Sequence, residues 1–427
     1  MKAKSKPEAK KRTIAPVSLG CAKNAVDLQV RVSKLLKEDC IISPDPDRAD
    51  IVIVNTCAFI ESAREEAEAE IVRALQLKSA GRYGQVMVTG CYPQRYPDAV
   101  AKFPGVDVWQ GVPSTWEEST LPGLRFTGQA FAYLKIAEGC SHKCAYCAIP
   151  EIRGRFRSRP VEAILKEAQA LLDTGCKELV IVAQDPMLWK GKAWSEDKKK
   201  EVPCDITDLL WALDSFAGDY WVRVLYSYPN EITGDFLYWM LNAKHAVKYI
   251  DVPLQHTVPE VLVKMNRRAA VEMSLAAADL LRETVPGVTL RTTIMTGFPG
   301  ETELRFKRLM SDLGRMQFDH LGAFAYSPEA GTAGAKMRPR PPRKVAEARE
   351  KEVMALAEKI WKTRSKRLLG KTFKALVVAP GIARMESQAP DVDGVTHIDS
   401  GRVGEFVAVR LDKVRGFDFI AHVVKEA

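Results

Sequence analysis

The chain has 427 residues, 46% of them hydrophobic, and a net charge of +9. That length calls for roughly two to four domains, and that apolar fraction excludes a disordered chain. No apolar run approaches the ~20 residues of a membrane helix, and nine cysteines do not make a disulfide framework, so the expected setting is the reducing cytoplasm, with no membrane partner.

Residues 1–12 (MKAKSKPEAKKR) carry +5. No apolar segment follows, so they are not a secretory signal; they read as a disordered basic tail. Residues 13–123 read as a first domain. Strands are expected over 14–19, 51–54 and 85–89, and helices over 24–37 and 59–75. Strand–helix alternation argues for a parallel α/β sheet. Cys21, Cys57 and Cys91 each follow one of the strands by one to three residues. In a parallel sheet such positions share the carboxyl edge, where ligands bind, so the three thiols are expected to meet there. Three small core residues would be the plain alternative.

The stretch EGCSHKCAYCAIP, residues 138–150, puts Cys140, Cys144 and Cys147 within eight residues. Thiolates are soft ligands for zinc or iron–sulfur clusters. Four cysteines complete a ferredoxin-type cluster; three would leave one iron open to a small chelating ligand. A zinc knuckle with His142 as fourth ligand is the alternative, against the usual paired spacing of zinc sites. Cys40, Cys176 and Cys204 have no comparable placement and are expected to be bystanders.

Six strands are expected over 131–136, 178–183, 221–226, 248–252, 288–295 and 320–325, with helices between them at 160–173 and 271–284 among others. This is a partial TIM-type barrel over 130–340, whose catalytic groups belong at strand carboxyl ends. The cysteine loop follows the first strand. Gln184 and Asp185, Gln255 and His256, and the turn Gly297–Glu301 follow later ones; His256 is more readily a structural hydrogen-bonder than a base. Residues 338–342 are a proline-rich basic linker, and a linker helix (341–370) follows, with a basic exposed face. Residues 371–427 carry balanced charge. Strands at 372–379, 405–411 and 416–425 suggest a small OB-like β-barrel. RNA binding needs clustered Lys and Arg, which this segment lacks.

The segments SLGCAKN (18–24), NTCAFIESAREE (55–66), TGC (89–91), EGCSHKCAYCAIPEIRGRFRSRP (138–160), PLQH (253–256) and RTTIMTGFPGETE (291–303) together resemble the radical S-adenosylmethionine methylthiotransferase family over nearly the whole chain. The fold so implied is multidomain α/β: a flavodoxin-like N-terminal domain, a radical SAM barrel and a TRAM-like β-barrel. GCAKN with Asp27, and NTCAFIESA, are similar to the RimO-type, protein-modifying branch. A branch acting on modified adenosine of tRNA carries other residues after the first cysteine. Gln29 and QDPMLW (184–189) depart from the RimO-type pattern.

The resemblance implies methylthiolation of the β-carbon of an aspartate in a small-subunit ribosomal protein, the twelfth. It implies two 4Fe-4S clusters, a radical one on Cys140, Cys144 and Cys147 and an auxiliary one on Cys21, Cys57 and Cys91. S-adenosylmethionine is the second cofactor, with Tyr146, Arg291, Thr293 and Gly300 expected to line its site. The partners are the ribosomal protein or ribosome and an electron donor such as flavodoxin or ferredoxin; tRNA is the substrate under the alternative. Asp391 and Asp393 are expected as acidic contacts to the basic ribosomal protein.

Overall fold

The computed structural model describes residues 11–113, 116, 124–195, 197–267 and 277–424. Most of the basic tail expected over 1–12 lies outside the described residues, as do 271–276 of the helix expected over 271–284. The chain forms two compact units. One runs to Phe126 and includes Glu151–Arg153; the other holds Thr127–Pro150 and Gly154–Ala427.

The first unit is built on five parallel strands in the order Cys40–Ile42, Arg12–Ser18, Ala49–Thr56, Tyr83–Gly90, Val108–Gln110. This 2-1-3-4-5 order is that of flavodoxin-like sheets. Arg12, placed in the tail by its charge, opens the first strand. The β-branched run Ile51–Val54 is buried on both faces, as a central parallel strand requires. Only the two outer strands escape the sequence pattern, because three residues show no periodicity. The helix Ala22–Lys37 buries Val26, Leu28 and Val32. The helix Glu61–Ser79 buries only Ala67, Ile71 and Ala74 at four- and three-residue spacing, a narrow stripe that leaves its many charges in water.

The second unit contains all six expected barrel strands. Phe131–Lys135, Glu178–Val182 and Trp221–Val224 pair in parallel; so do Tyr249–Asp251, Thr289–Thr296 and His320–Ala325. A single parallel bridge, Val222 to Ala246, joins the two triplets. An antiparallel hairpin, Lys190–Ser195 with Lys200–Asp205, follows the second strand; its polar alternation gave no sign of a strand. Residues of the six strands and their helices share one apolar core. Val353 and Ala357 of the helix Arg343–Lys366 belong to that core. The expected linker helix is therefore a wall of the barrel, with Lys344, Lys351 and Lys359 on its exposed side.

The final segment closes into a five-stranded barrel. Ile382–Met385 and Thr396–His397 were too short to expect from sequence. Trp361, from the long helix, completes its apolar core and donates its indole N–H to the Gly416 carbonyl at 2.8 Å.

Residues 384–393 of this small barrel cover the amino ends of the six large-barrel strands. Every strand contributes one of its first three residues. Glu178, fully buried, accepts from Arg223 Nε at 2.6 Å and from Arg384 Nη2. Burial opposes its charge, but the two guanidiniums hold its carboxyl below the ordinary value. Asp393 accepts from Arg291 Nη1 at 2.8 Å and from the Tyr249 hydroxyl at 2.7 Å, and its Oδ1 lies 3.3 Å from His320 Nδ1. The Tyr133 hydroxyl donates to Asp391. The acids expected to meet a ribosomal protein are thus bonded within the chain to donors at the strand starts, although Asp391 and Val392 of the turn APDVDG remain exposed.

Removing one partner of a buried ion pair costs about 3–5 kcal/mol, while an exposed pair contributes about 0–1 kcal/mol. Arg384→Met is expected to lower the free energy of urea unfolding by about 3–5 kcal/mol. Arg402→Met, which removes an exposed contact to Glu405, is expected to leave it nearly unchanged. The Glu178 contribution is complete above its ordinary pKa of 4.5 and is lost as pH falls through the lower folded value. Acid titration of unfolding in wild type and Glu178→Gln checks this.

Candidate metal centres

In the first unit, Cys21 lies three residues past the strand Arg12–Ser18, and Cys57 and Cys91 come directly after Ala49–Thr56 and Tyr83–Gly90. All three strands are parallel and adjacent, so the thiols gather at one carboxyl edge. Gly20 and Gly90 permit this. Both have positive φ (+86° and +95°), which L side chains resist. A Cβ on Gly20 would stand 2.6 Å from Cys57 Cβ; one on Gly90 would stand 2.5 Å from the Thr56 carbonyl oxygen.

A buried polar network fixes the strand ends. Asn24 Nδ2 donates to the carbonyls of Leu19 and Thr56, at 2.7 and 3.2 Å. Asn55 Nδ2 donates to the Asn24 carbonyl at 2.8 Å, and the Thr89 hydroxyl to Asn55 Oδ1 at 2.9 Å. The motif residues around the cysteines are thus bonded to one another, a role the motifs alone did not reveal. Arg153 enters the same place. It is buried, pairs with Asp27 at 2.9 Å, and donates through Nη2 to Asn24 Oδ1 at 3.3 Å and to Cys91 Sγ at 3.4 Å. It lies within the segment 138–160 that carries the family resemblance, but the sequence assigned it no role.

Burial pushes the Cys91 thiol up to about 12 despite Arg153, and burial also raises Cys57. For Cys21, desolvation is outweighed by Lys23, Arg153 and the backbone N–H groups of Asn24 and Lys23, so its pKa is lowered. Cys21 and Cys57 also raise the Cys91 pKa electrostatically.

In the second unit, Cys140, Cys144 and Cys147 follow the first barrel strand. The Ala145 N–H donates to the Met265 carbonyl at 2.9 Å, and the Ala145 carbonyl accepts from Gly334 at 2.6 Å. Ala145 and Tyr146 pack with Met265, Phe298 and Tyr326, so the loop is anchored by its small and aromatic residues. Burial, with mutual repulsion of the thiolates, raises Cys140 to about 11 and Cys147 to about 12. His142, the fourth ligand of the zinc alternative, is bonded outside the cysteine loop. Its Nε2 lies 2.6 Å from Asp185 Oδ2, and its ring stacks on Tyr228 with centroids 4.1 Å apart. Among the described residues, no three Cys, His, Asp or Glu side chains stand at single-ion spacing.

The carboxyl ends of the later strands line the same site with uncommitted polar atoms. Gln184 Oε1, Ser227 Oγ, Gln255 Oε1 and Thr257 Oγ1 are buried without a hydrogen-bond partner, each a cost unless a ligand answers it. Tyr226 and Gln255 hold left-handed backbone, at φ 69° and 68°, strain of the kind that clusters at binding sites. Three thiols, orphaned acceptors and strained residues at one barrel mouth fit a thiolate-held cluster with a polar organic ligand.

Of the residues expected around the cofactor, Tyr146 stands in the cysteine loop, edge-on to Phe298 of the Gly297–Glu301 turn. The Thr293 carbonyl accepts the Gln255 N–H at 2.9 Å. The Gly300 carbonyl accepts from Arg305 at 2.6 Å. Arg291 is misplaced by the sequence reading: its side chain points to Asp393 at the opposite strand end, because its register position is the third, not the last, in Thr289–Thr296. His256 is structural. Its Nδ1 accepts the Val258 N–H at 3.0 Å, so Nε2–H faces Glu301 at 3.3 Å. Cys40 and Cys176 are buried away from both triads, and Cys204 lies in the hairpin.

A parallel barrel whose first strand leads into three thiols defines the radical S-adenosylmethionine class, and residues 134–313 match the Radical SAM superfamily. Residues 13–111 match an uncharacterized protein family, UPF0004, and 370–424 the TRAM domain. A radical S-adenosylmethionine methyltransferase, TsrM from Kitasatospora setae, solved with cobalamin and a 4Fe-4S cluster, has a similar fold, with TM-score 0.53 and 14% identity over 76% of this chain and 77% of that one. The ribosomal protein uS12 methylthiotransferase RimO of Syntrophus aciditrophicus is 36% identical over 96% of this chain and 97% of its own length; that of Desulfitobacterium hafniense is 34% identical over 97% and 99%. The chain belongs to the RimO family.

Gly20→Ala forces Cys57 aside, and Gly90→Ala forces the strand before it. Each variant, reconstituted anaerobically, is expected to lose up to about four irons per chain, one cluster's worth, while the cysteine loop of the second unit keeps its own. Iron and labile-sulfide assays check this.

Proposed function

We propose that this chain methylthiolates the β-carbon of an aspartate in ribosomal protein uS12. The observation that carries the reading is the three-thiol loop at the mouth of the parallel barrel, in a chain that shares nearly its whole length with uS12 methylthiotransferases. The tRNA reading is not retained: these relatives are uS12 enzymes, and the final barrel has equal numbers of acids and bases.

Cys140, Cys144 and Cys147 hold the radical cluster. With S-adenosylmethionine, that group supplies a carbon radical able to take hydrogen from an unactivated carbon, chemistry no side-chain base can perform. The chain's own part is placement and exclusion. Tyr146, Phe298 and Met265 keep water from the loop. Gln184, Ser227, Gln255 and Thr257 offer hydrogen bonds to the bound organic groups. Cys21, Cys57 and Cys91 hold the second cluster, and the positive charges of Lys23 and Arg153 favour anionic sulfur there. A small redox protein such as flavodoxin or ferredoxin supplies the electron. No described helix is long and apolar enough to cross a membrane; a cytoplasmic setting suits a ribosomal substrate and reduced thiols.

Replacing Cys140, Cys144 and Cys147 together by Ala is expected to halve the reconstituted iron and abolish cleavage of S-adenosylmethionine. In a strain lacking this gene, mass spectrometry is expected to find uS12 lighter by one methylthio group and bulk tRNA unchanged. Loss of a tRNA modification with uS12 unaltered would sink the assignment.

A further inference from the structure

Arg267 is a buried charged side chain against the cysteine loop that the mechanism has not used. It is 3% exposed. Nη1 donates to Cys144 Sγ at 3.8 Å and to the Tyr146 hydroxyl at 3.3 Å; Nη2 donates to the Pro253 carbonyl at 2.7 Å. The guanidinium carbon sits 4.2 Å from the centroid of the Tyr228 ring, whose other stacking partner is His142, itself held by Asp185. Nε is buried with no partner. Among the described residues, the groups bonded to Arg267 are a thiol, a phenol and a carbonyl, none of them a carboxylate. Arg153, in the first unit, differs: it also reaches a cysteine, but Asp27 answers its charge.

A buried cation is costly unless an anion answers it. Here the adjacent anionic group is the thiolate set itself. Planarity matters as well, since a fork that binds sulfur, phenol and carbonyl at once cannot be replaced by the point charge of a lysine. Hydrogen bonds to ligand sulfurs and local net charge are the levers a protein has on the potential of an iron–sulfur cluster.

We propose that Arg267 is a positioning residue for the radical cluster: its fork orients Cys144 and Tyr146, and its charge raises the reduction potential of the cluster that the loop holds. This rests on the reading that Cys140, Cys144 and Cys147 carry that cluster. The side chain touches the ligand, not the substrate. Its role is to make one-electron reduction easier and to hold the loop in the conformation that accepts iron.

The test uses the full chain with Cys21, Cys57 and Cys91 replaced by Ser, so that only one cluster reports. Arg267→Gln and Arg267→Lys are compared with this parent by iron content, by redox titration followed by electron paramagnetic resonance, and by thermal melting of the apo protein. Arg267→Gln is expected to shift the midpoint to more negative potential, with the reduced-to-oxidised ratio at fixed potential falling roughly tenfold, about 59 mV. Arg267→Lys is expected to fall between the two. A Gln variant with parent iron content and parent midpoint would overturn the proposal while leaving the cluster assignment intact. A parent without iron would overturn the cluster assignment and the proposal with it. If Arg267→Gln holds no iron, apo melting decides: a parent-like melt supports the positioning role, and a lost fold overturns it, since Arg267 would then be a core residue only.

Discussion

Parallel strands cannot be joined by tight turns; each needs a crossover, so every strand delivers its carboxyl end to the same edge. Both cysteine triads depend on this constraint. In the first unit it gathers thiols from three loops about 35 residues apart in sequence. In the second it seats a single compact loop beside the ends of five other strands. The sheet order matters too. Arg12–Ser18 and Ala49–Thr56 are neighbours, and the switch in strand order between them opens the crevice where Cys21 and Cys57 lie.

The two ends of the large barrel are built from opposite chemistry. At the amino ends, charged and phenolic groups from all six strands are paired with the final barrel: Glu178 with Arg223 and Arg384, Asp393 with Tyr249 and Arg291. This paired layer ties the strand starts to the final barrel, although Arg223 Nη2, Arg384 Nε and Gln388 Nε2 in it stay without a hydrogen-bond partner. The carboxyl ends carry orphaned acceptors, on Gln184, Ser227, Gln255 and Thr257, and the left-handed residues Tyr226 and Gln255. The small barrel is therefore part of the large barrel's foundation, whatever else its outer surface does.

Burial shapes how the thiols can be loaded. Cys91 and Cys147 are raised to about 12 and Cys140 to about 11, so each is protonated in the empty protein near neutral pH. Ligation needs the thiolate and releases those protons.

The sequence by itself determined the architecture: six barrel strands, the inner strands of the first sheet, and both triads. Those signals are local, in apolar runs, loop position and thiol spacing. What it could not determine was direction and partnership. Arg291 and Asp393 read as site residues, yet they bind each other at the far end of the barrel, because a strand residue's end of the sheet depends on register. The sequence assigned no role to Arg153, which lies within the segment 138–160, or to Arg267. Only the tertiary structure buries each against a thiol, for such a contact joins residues 62 and 123 positions apart, and no periodicity or motif in a single chain records a pairing at that distance.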